Sequence, residues 1–248
     1  MTKLKPYTIL KDKHEGETCF IIGAGTSALT FDNAALALQA EIFKHVVISV
    51  NSGILLCPWG QPHPNPKVKS EVCHGDREKR YWLSNDALCR RWSWWNYVKA
   101  CNATKIVRDS WKEYYAEIPD FLYFWIRPTS EDVINPKDLG LSYCSSVPSS
   151  IDLAIQMGCK KIFIIGLDQY MIGETSHFWH YWPKKYQPTR IDRVMALHSQ
   201  QKEAFEFNNL AFPALKEFAD SRDVTIFNCN PKSKVDVFSK IKFEDSLS

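Results

Sequence analysis

Short apolar runs alternating with stretches of helical periodicity organise this chain. The runs Cys19–Ile22, His45–Val50, Tyr81–Leu83, Lys105–Val107, Leu122–Trp125, Lys161–Ile165 and Val224–Phe227 are rich in β-branched and aromatic residues, and several are almost wholly apolar. Strands that are apolar on both sides of the pleat belong to a sheet covered on both faces. Between them, apolar residues recur at helical spacing over Ala28–Glu41, Ile151–Met157 and Gln200–Asp220. Strand alternating with helix predicts an α/β fold: a single doubly wound, mainly parallel sheet of Rossmann-like type. Pro213 falls inside the last helical stretch, where a kink or a restart is expected.

The breaks in this pattern are as informative as the pattern. Cys57–Lys69 carries four prolines and a glycine and reads as a surface loop. Residues 171–197 begin with an irregular aromatic and basic stretch placed directly after the run that ends in Gly166-Leu-Asp168, the position of a lid over a site. After Ser233 the chain is polar and lysine-bearing, and 239–248 is expected to fray.

A length of 248 residues suits one domain spanning 1–248. A formal charge of +3 is too small to make nucleic acid the main partner, although a weakly basic surface suits a phosphate-bearing substrate. Eight cysteines in a chain this long make no disulfide framework and suggest a reducing compartment. The first residues, Met-Thr-Lys-Leu-Lys-Pro, contain no apolar leader core, and no apolar run approaches the roughly 20 residues of a membrane helix. A cytoplasmic protein is expected, with at most peripheral contact with a membrane. Nine tryptophans, clustered at Trp92, Trp94, Trp95 and at Trp179, Trp182, are either packing groups or a platform for a sugar or base ring.

The candidate chemistry lies at predicted strand ends. Gly23-Ala-Gly25-Thr26-Ser27-Ala28 fits the loose glycine pattern that lets backbone approach a phosphate ahead of a helix N-terminus. A dinucleotide fold would place an acidic residue at the end of the next strand to hold the ribose, whereas this strand ends in Asn51, which argues against NAD. Ser145, Ser146, Ser149 and Ser150 surround Val147-Pro148 at a helix start. An N-cap uses one or two such hydroxyls, so the rest are open to a phosphate or carboxylate. Gly166 and Asp168 close the next strand; Asp168 could bond a ribose, order the lid or cap a turn, and Tyr170 could donate to a leaving phosphate. His177, His180 and His198 are the candidate titrating groups. His177 and His180 have a spacing that would suit a metal on a helix but lack a third ligand; Cys57, His63, Cys73 and His74 match no familiar zinc spacing, so no metal site is expected.

Taken in order, these motifs resemble the bacterial sialyltransferases of the Campylobacter lipooligosaccharide type. The matching pieces are Phe20-Ile-Ile-Gly-Ala-Gly-Thr-Ser27, the strand ending in Asn51, Ser145-Ser146 before Ala154-Ile-Gln-Met-Gly158, Lys161-Ile-Phe-Ile-Ile-Gly166-Leu-Asp168-Gln-Tyr170, His198-Ser199, and Phe227-Asn-Cys-Asn-Pro-Lys-Ser233. The resemblance implies a fold of the glycosyltransferase A variant type and an inverting, metal-independent transfer of sialic acid or a related acid sugar from a CMP donor to a glycan hydroxyl. It places Gly23, Gly25, Thr26, Ser27, Asn51, Asn85, Ser145, Ser146, Gly166 and Asp168 at the nucleotide. His198 would be the general base and Tyr170 the group at the departing phosphate. His177 falls near the family's second tyrosine, where a protonated imidazole would serve in its place. Ala24 and Tyr143 depart from the family's asparagine and arginine. The implied partners are a nucleotide sugar and a glycan acceptor, a second copy of the chain being possible, with no further cofactor. The DUF115 group, which includes archaeal pterin diphosphokinases, is similar over Gly166-Leu-Asp168 and Ser176-His177, and would imply ATP and Mg²⁺ instead; a non-catalytic nucleotide- or glycan-binding module using the tryptophan-rich loops is the remaining alternative.

Overall fold

The computed structural model describes residues 5–60, 63–65, 68, 76–108, 113, 118, 121–124, 145–170, 177–189 and 198–247. Among the described residues nine strands form one sheet: β1 (Lys5–Pro6), β2 (Thr18–Ile22), β3 (Val46–Val50), β4 (Arg80–Ser84), β5 (Thr104–Arg108), β6 (Phe121–Phe124), β7 (Lys161–Ile165), β8 (Thr225–Asn228) and β9 (Ser239–Lys240). Their order is β1-β6-β5-β4-β3-β2-β7-β8-β9, and every pairing is parallel. At the centre Ile21 stands opposite Ile48 on one side and Ile164 on the other. The doubly wound α/β expectation holds, and the sheet is parallel throughout.

Alternation along the strands feeds two cores. Cys19, Ile21, Val46, Ile48, Tyr81, Leu83, Ile162 and Ile164 join one cluster with Ile151, Leu153 and Ile155 of α4 (Ser146–Gln156) and Phe212 and Leu215 of α5 (His198–Asp220). Phe20, Ile22, Val47, Trp82, Phe163 and Ile165 join the other, with Phe31 of α1 (Leu29–Asp32), Ile42 of α2 (Leu36–Ile42) and Tyr97 and Val98 of α3 (Trp95–Ala100). Burying one such large apolar side chain contributes about 1.5–3 kcal/mol, so neither face tolerates solvent.

The structure corrects three local expectations. The helix expected over Ala28–Glu41 is broken into a 3₁₀ turn (Thr26–Ala28), α1 and α2, with Ala35 extended at φ −56°, ψ 140°. The break is held by Gln39, whose Nε2 faces the carbonyls of Phe31 at 2.8 Å and of Asp32 and Ala34 at 3.3 Å. Conversely α5 runs through Pro213 with no restart. The segment expected to fray is docked: β9 pairs with β8, Lys240 Nζ donates to the Ser233 carbonyl at 2.7 Å, and Phe243 is buried. Of the two readings of the tryptophans, packing holds: Trp94, Trp179 and Trp182 are buried and Trp92 meets Trp179 edge-on at 5.7 Å. All six described cysteines are free and buried.

Candidate active site at the strand ends

Strands β3 to β6 lie on one side of β2, and β7 to β9 lie on the other. The winding therefore reverses between β2 and β7, and the crevice beyond their carboxyl ends is where open α/β sheets bind ligands. Two hydrogen-bonded clusters occupy this edge.

The first joins the ends of β2, β7 and β8. Gly23 N donates to the Ile165 carbonyl at 2.8 Å and Gly25 N to the Gly166 carbonyl at 3.1 Å. A β-carbon on Gly25 would lie 2.5 Å from the Gly166 oxygen and 2.7 Å from Asp168 Oδ2, and Gly166 itself has φ +79°. The glycines thus serve the close approach of two strand ends. The turn they build does not hold open donors: Asp168 fills it. Its Oδ2 accepts from Thr26 Oγ1 and Ser27 N, both at 2.9 Å, and its Oδ1 accepts from Ser27 Oγ and, at 2.8 Å, from Asn230 Nδ2. The anion that the turn was expected to take from a nucleotide is the chain's own carboxylate, held at intramolecular proximity. Behind it, the Asp168 carbonyl accepts from Lys234 N at 2.9 Å and Ser233 Oγ at 3.3 Å. Tyr170 Oη stands 3.5 Å from Asn230 Nδ2.

The second cluster joins the ends of β3 and β4 to the start of α4. Asn51 follows β3 with φ +49°, a conformation that asparagine tolerates better than most residues. Trp82 Nε1 donates to its carbonyl at 3.0 Å, and Ser146 Oγ donates to its Oδ1 at 3.1 Å. Ser146 Oγ in turn accepts from Asn85 N at 2.9 Å, and Asn85 Nδ2 donates to Ser149 Oγ at 3.0 Å. Ser149 Oγ and Ser150 Oγ return to the carbonyls of Ser145 and Val147. Ser145, although the N-cap residue of α4, makes no side-chain cap bond. The helix start therefore keeps polar groups turned to the same edge as Asn51 and Asn85, with the positive end of its dipole behind them.

Residues 177–189 are seated against the first cluster. Phe178 N donates to the Ala24 carbonyl at 3.0 Å, Trp179 Nε1 reaches Ser52 Oγ at 3.2 Å, and Trp182 Nε1 reaches Asp32 Oδ2 at 2.7 Å. Residues 177–189 of the expected lid are thus anchored in the second core. Burial, with a smaller contribution from nearby His180, lowers the His177 pKa to about 4. At neutral pH it is an uncharged imidazole, which corrects its expected role as a cation beside phosphate. Burial also lowers the pKa of His180.

Of the sequence-predicted residues, Gly23, Gly25, Thr26, Ser27, Gly166 and Asp168 meet in one cluster, with Tyr170 at its margin. Asn51, Asn85 and Ser146 meet in the other, with Ser145 beside them. His198 opens α5, and its side chain lies outside the described residues, as do Cys73, His74 and Tyr143. Among the described residues no three His, Cys, Asp or Glu groups converge as metal ligands, and no helix is long and apolar enough to cross a membrane. Sequence reading gave Asn230 no role. The signal for Asn230 is the asparagine-rich Asn228-Cys-Asn230 directly after the last long strand, at the same edge as Asp168.

No protein-family model and no curated protein matches the sequence. Among solved structures the chain is similar to the MAf glycosyltransferase of Magnetospirillum magneticum AMB-1, with TM-score 0.52 and 12% identity over 98% of this chain. The chain spans 38% of the length of that enzyme. A weaker likeness, TM-score 0.46 and 13% identity, extends to the sialyltransferase CST-II in complex with a trisaccharide acceptor and CMP, over 90% of this chain and 85% of the other. The chain thus has a fold that a known glycosyltransferase uses, and the strand ends described above are where polar side chains converge within it.

Proposed function

We propose that this chain is a glycosyltransferase of sialyltransferase type, moving sialic acid or a related acid sugar from a CMP donor to a glycan hydroxyl. The observation that carries the reading is the convergence of Asn51, Asn85, Ser146 and Ser149 at the carboxyl ends of β3 and β4, next to the switch point between β2 and β7. These groups offer amide and hydroxyl chemistry suited to a nucleoside, and the start of α4, with Ser145, offers a place for one phosphate.

In this reading the nucleotide lies across the strand ends while Asp168 braces the glycine turn beneath it. His198 takes the proton of the acceptor hydroxyl as that oxygen bonds to the anomeric carbon. The bond from that carbon to the phosphate oxygen breaks on the opposite side, its electron pair leaves with CMP, and the configuration inverts. Tyr170 donates a hydrogen bond to the departing phosphate. General-base and leaving-group assistance of this kind contributes about 10²–10⁴-fold each. The same reading takes 1–248 as one domain, 171–197 as the lid, and the cytoplasm as the working compartment, with no cofactor beyond the donor.

Transfer from a CMP-linked sialic acid to an oligosaccharide panel, read by mass spectrometry, tests the assignment. His198→Ala should abolish transfer while CMP still binds; full activity in that variant would remove His198 as the base. Dependence on ATP and Mg²⁺ with a pterin alcohol as substrate would instead favour the diphosphokinase reading.

A further inference from the structure

Between Asp168 and Tyr170 sits a residue that neither cluster uses. Gln169 has φ +54°, in the left-handed region that a glutamine side chain disfavours. Its backbone is held there from both sides: the Asp168 carboxylate and carbonyl are fixed by Thr26, Ser27, Asn230, Ser233 and Lys234, and Tyr170 stands beside Asn230. Strain of this kind persists only where its surroundings over-determine it, and it concentrates at ligand sites. The side chain adds a second, independent observation. Both Gln169 Oε1 and Nε2 are hidden from solvent, and neither has a hydrogen-bond partner among the described residues. A buried amide in that state forfeits both a donor and an acceptor.

We infer that Gln169 is the residue that reads the nucleobase of the donor. This rests on the proposed nucleotide reading and adds to it the group that recognises the base. A phosphate oxygen would satisfy Nε2 and leave Oε1 facing an anion. A base edge carries a donor and an acceptor side by side in one plane, as cytosine does with its exocyclic amine and ring nitrogen, and pairs with both amide atoms at once. The left-handed backbone is what points position 169 away from the alternation of an extended strand end, at the carboxyl edge where β7 meets β2.

The test is calorimetric titration of the full chain with CMP and with ribose 5-phosphate, on wild type and on Gln169→Gly and Gln169→Leu. Glycine relieves the left-handed strain and deletes the amide, so Gln169→Gly should keep or raise Tm. In both variants CMP should bind about tenfold to a hundredfold more weakly, the range expected for a lost bidentate contact, while ribose 5-phosphate binds unchanged. CMP affinity equal to wild type in the stably folded Gln169→Gly protein would overturn the inference and leave the transferase reading standing. Equal weakening of CMP and ribose 5-phosphate would overturn it too, by assigning Gln169 to the ribose or phosphate. Failure of wild type to bind CMP would remove the nucleotide reading and this inference with it.

Discussion

Asp168→Ala tests whether this carboxylate braces the fold or waits for a ligand. The side chain accepts from Thr26 Oγ1 and Ser27 N at 2.9 Å, from Asn230 Nδ2 at 2.8 Å and from Ser27 Oγ. Thr26 and Asn230 are only 4% and 6% exposed, so water does not replace the lost acceptor there. The Ser27 donors are half-buried and can rehydrate. Counting only the two buried partners, at about 1.5–3 kcal/mol per hydrogen bond to a charged group, the variant should lose about 3–6 kcal/mol. For a domain of this size that is a fall in Tm of about 6–24 °C. Asp168→Asn should lose less, because one amide oxygen still accepts while the NH₂ faces a donor. Urea melts at constant pH measure both. An Asp168→Ala protein with wild-type stability and weakened nucleotide binding would refute the brace and return the carboxylate to the ligand.

Two further outcomes follow from the same geometry. Gly25→Ala should destabilise by about 1–3 kcal/mol, the cost of overpacking, because its β-carbon would stand 2.5 Å from the Gly166 oxygen; an unchanged urea midpoint would contradict the close approach of β2 and β7. Burial raises the Asp152 pKa to about 7 although Gln156 Nε2 donates to it at 2.8 Å. The folded state then binds this proton more tightly than the unfolded chain, so stability falls as pH rises from about 4 to 7. Asp152→Asn should remove that fall and, above pH 8, gain up to about 4 kcal/mol, three pH units at 1.36 each. Lowered to about 4 by burial, His177 and His63 act with the opposite sign, costing stability as pH falls from 6.5 towards 4. The Asp152→Asn protein should therefore gain stability steadily between pH 4 and 6.5, and a flat profile would refute these assignments.

The strands were legible because both their faces are apolar: seven runs align with β2 to β8, each within a residue or two. β1 and β9 were not, since two residues carry no pattern and their pairing depends on distant partners. The break after α1 escaped notice because it is set by one side chain, Gln39, reaching carbonyls five to eight residues away. At the site, position in the topology was readable and the bonding was not. Sequence placed Asp168, Ser27 and Gly25 at one edge, but not that the carboxylate would satisfy the turn meant for a phosphate. The unpartnered amide and left-handed backbone of Gln169 leave no trace in residue order, since glutamine is no signal for φ +54°. Of the two readings the tryptophan clusters left open, packing holds, because a doubly covered sheet has ample interior for large rings.

The most direct test of the central claim is a thermal-shift panel with CMP, CDP, UDP, ATP plus Mg²⁺, and NAD at millimolar concentration. A ligand at about 100 times its dissociation constant stabilises by about 2.7 kcal/mol, a shift of several degrees for a chain of this length. The account predicts that shift with CMP and its loss when Asn51 and Ser146 are both replaced by alanine. A shift with ATP and Mg²⁺ but none with CMP would contradict it.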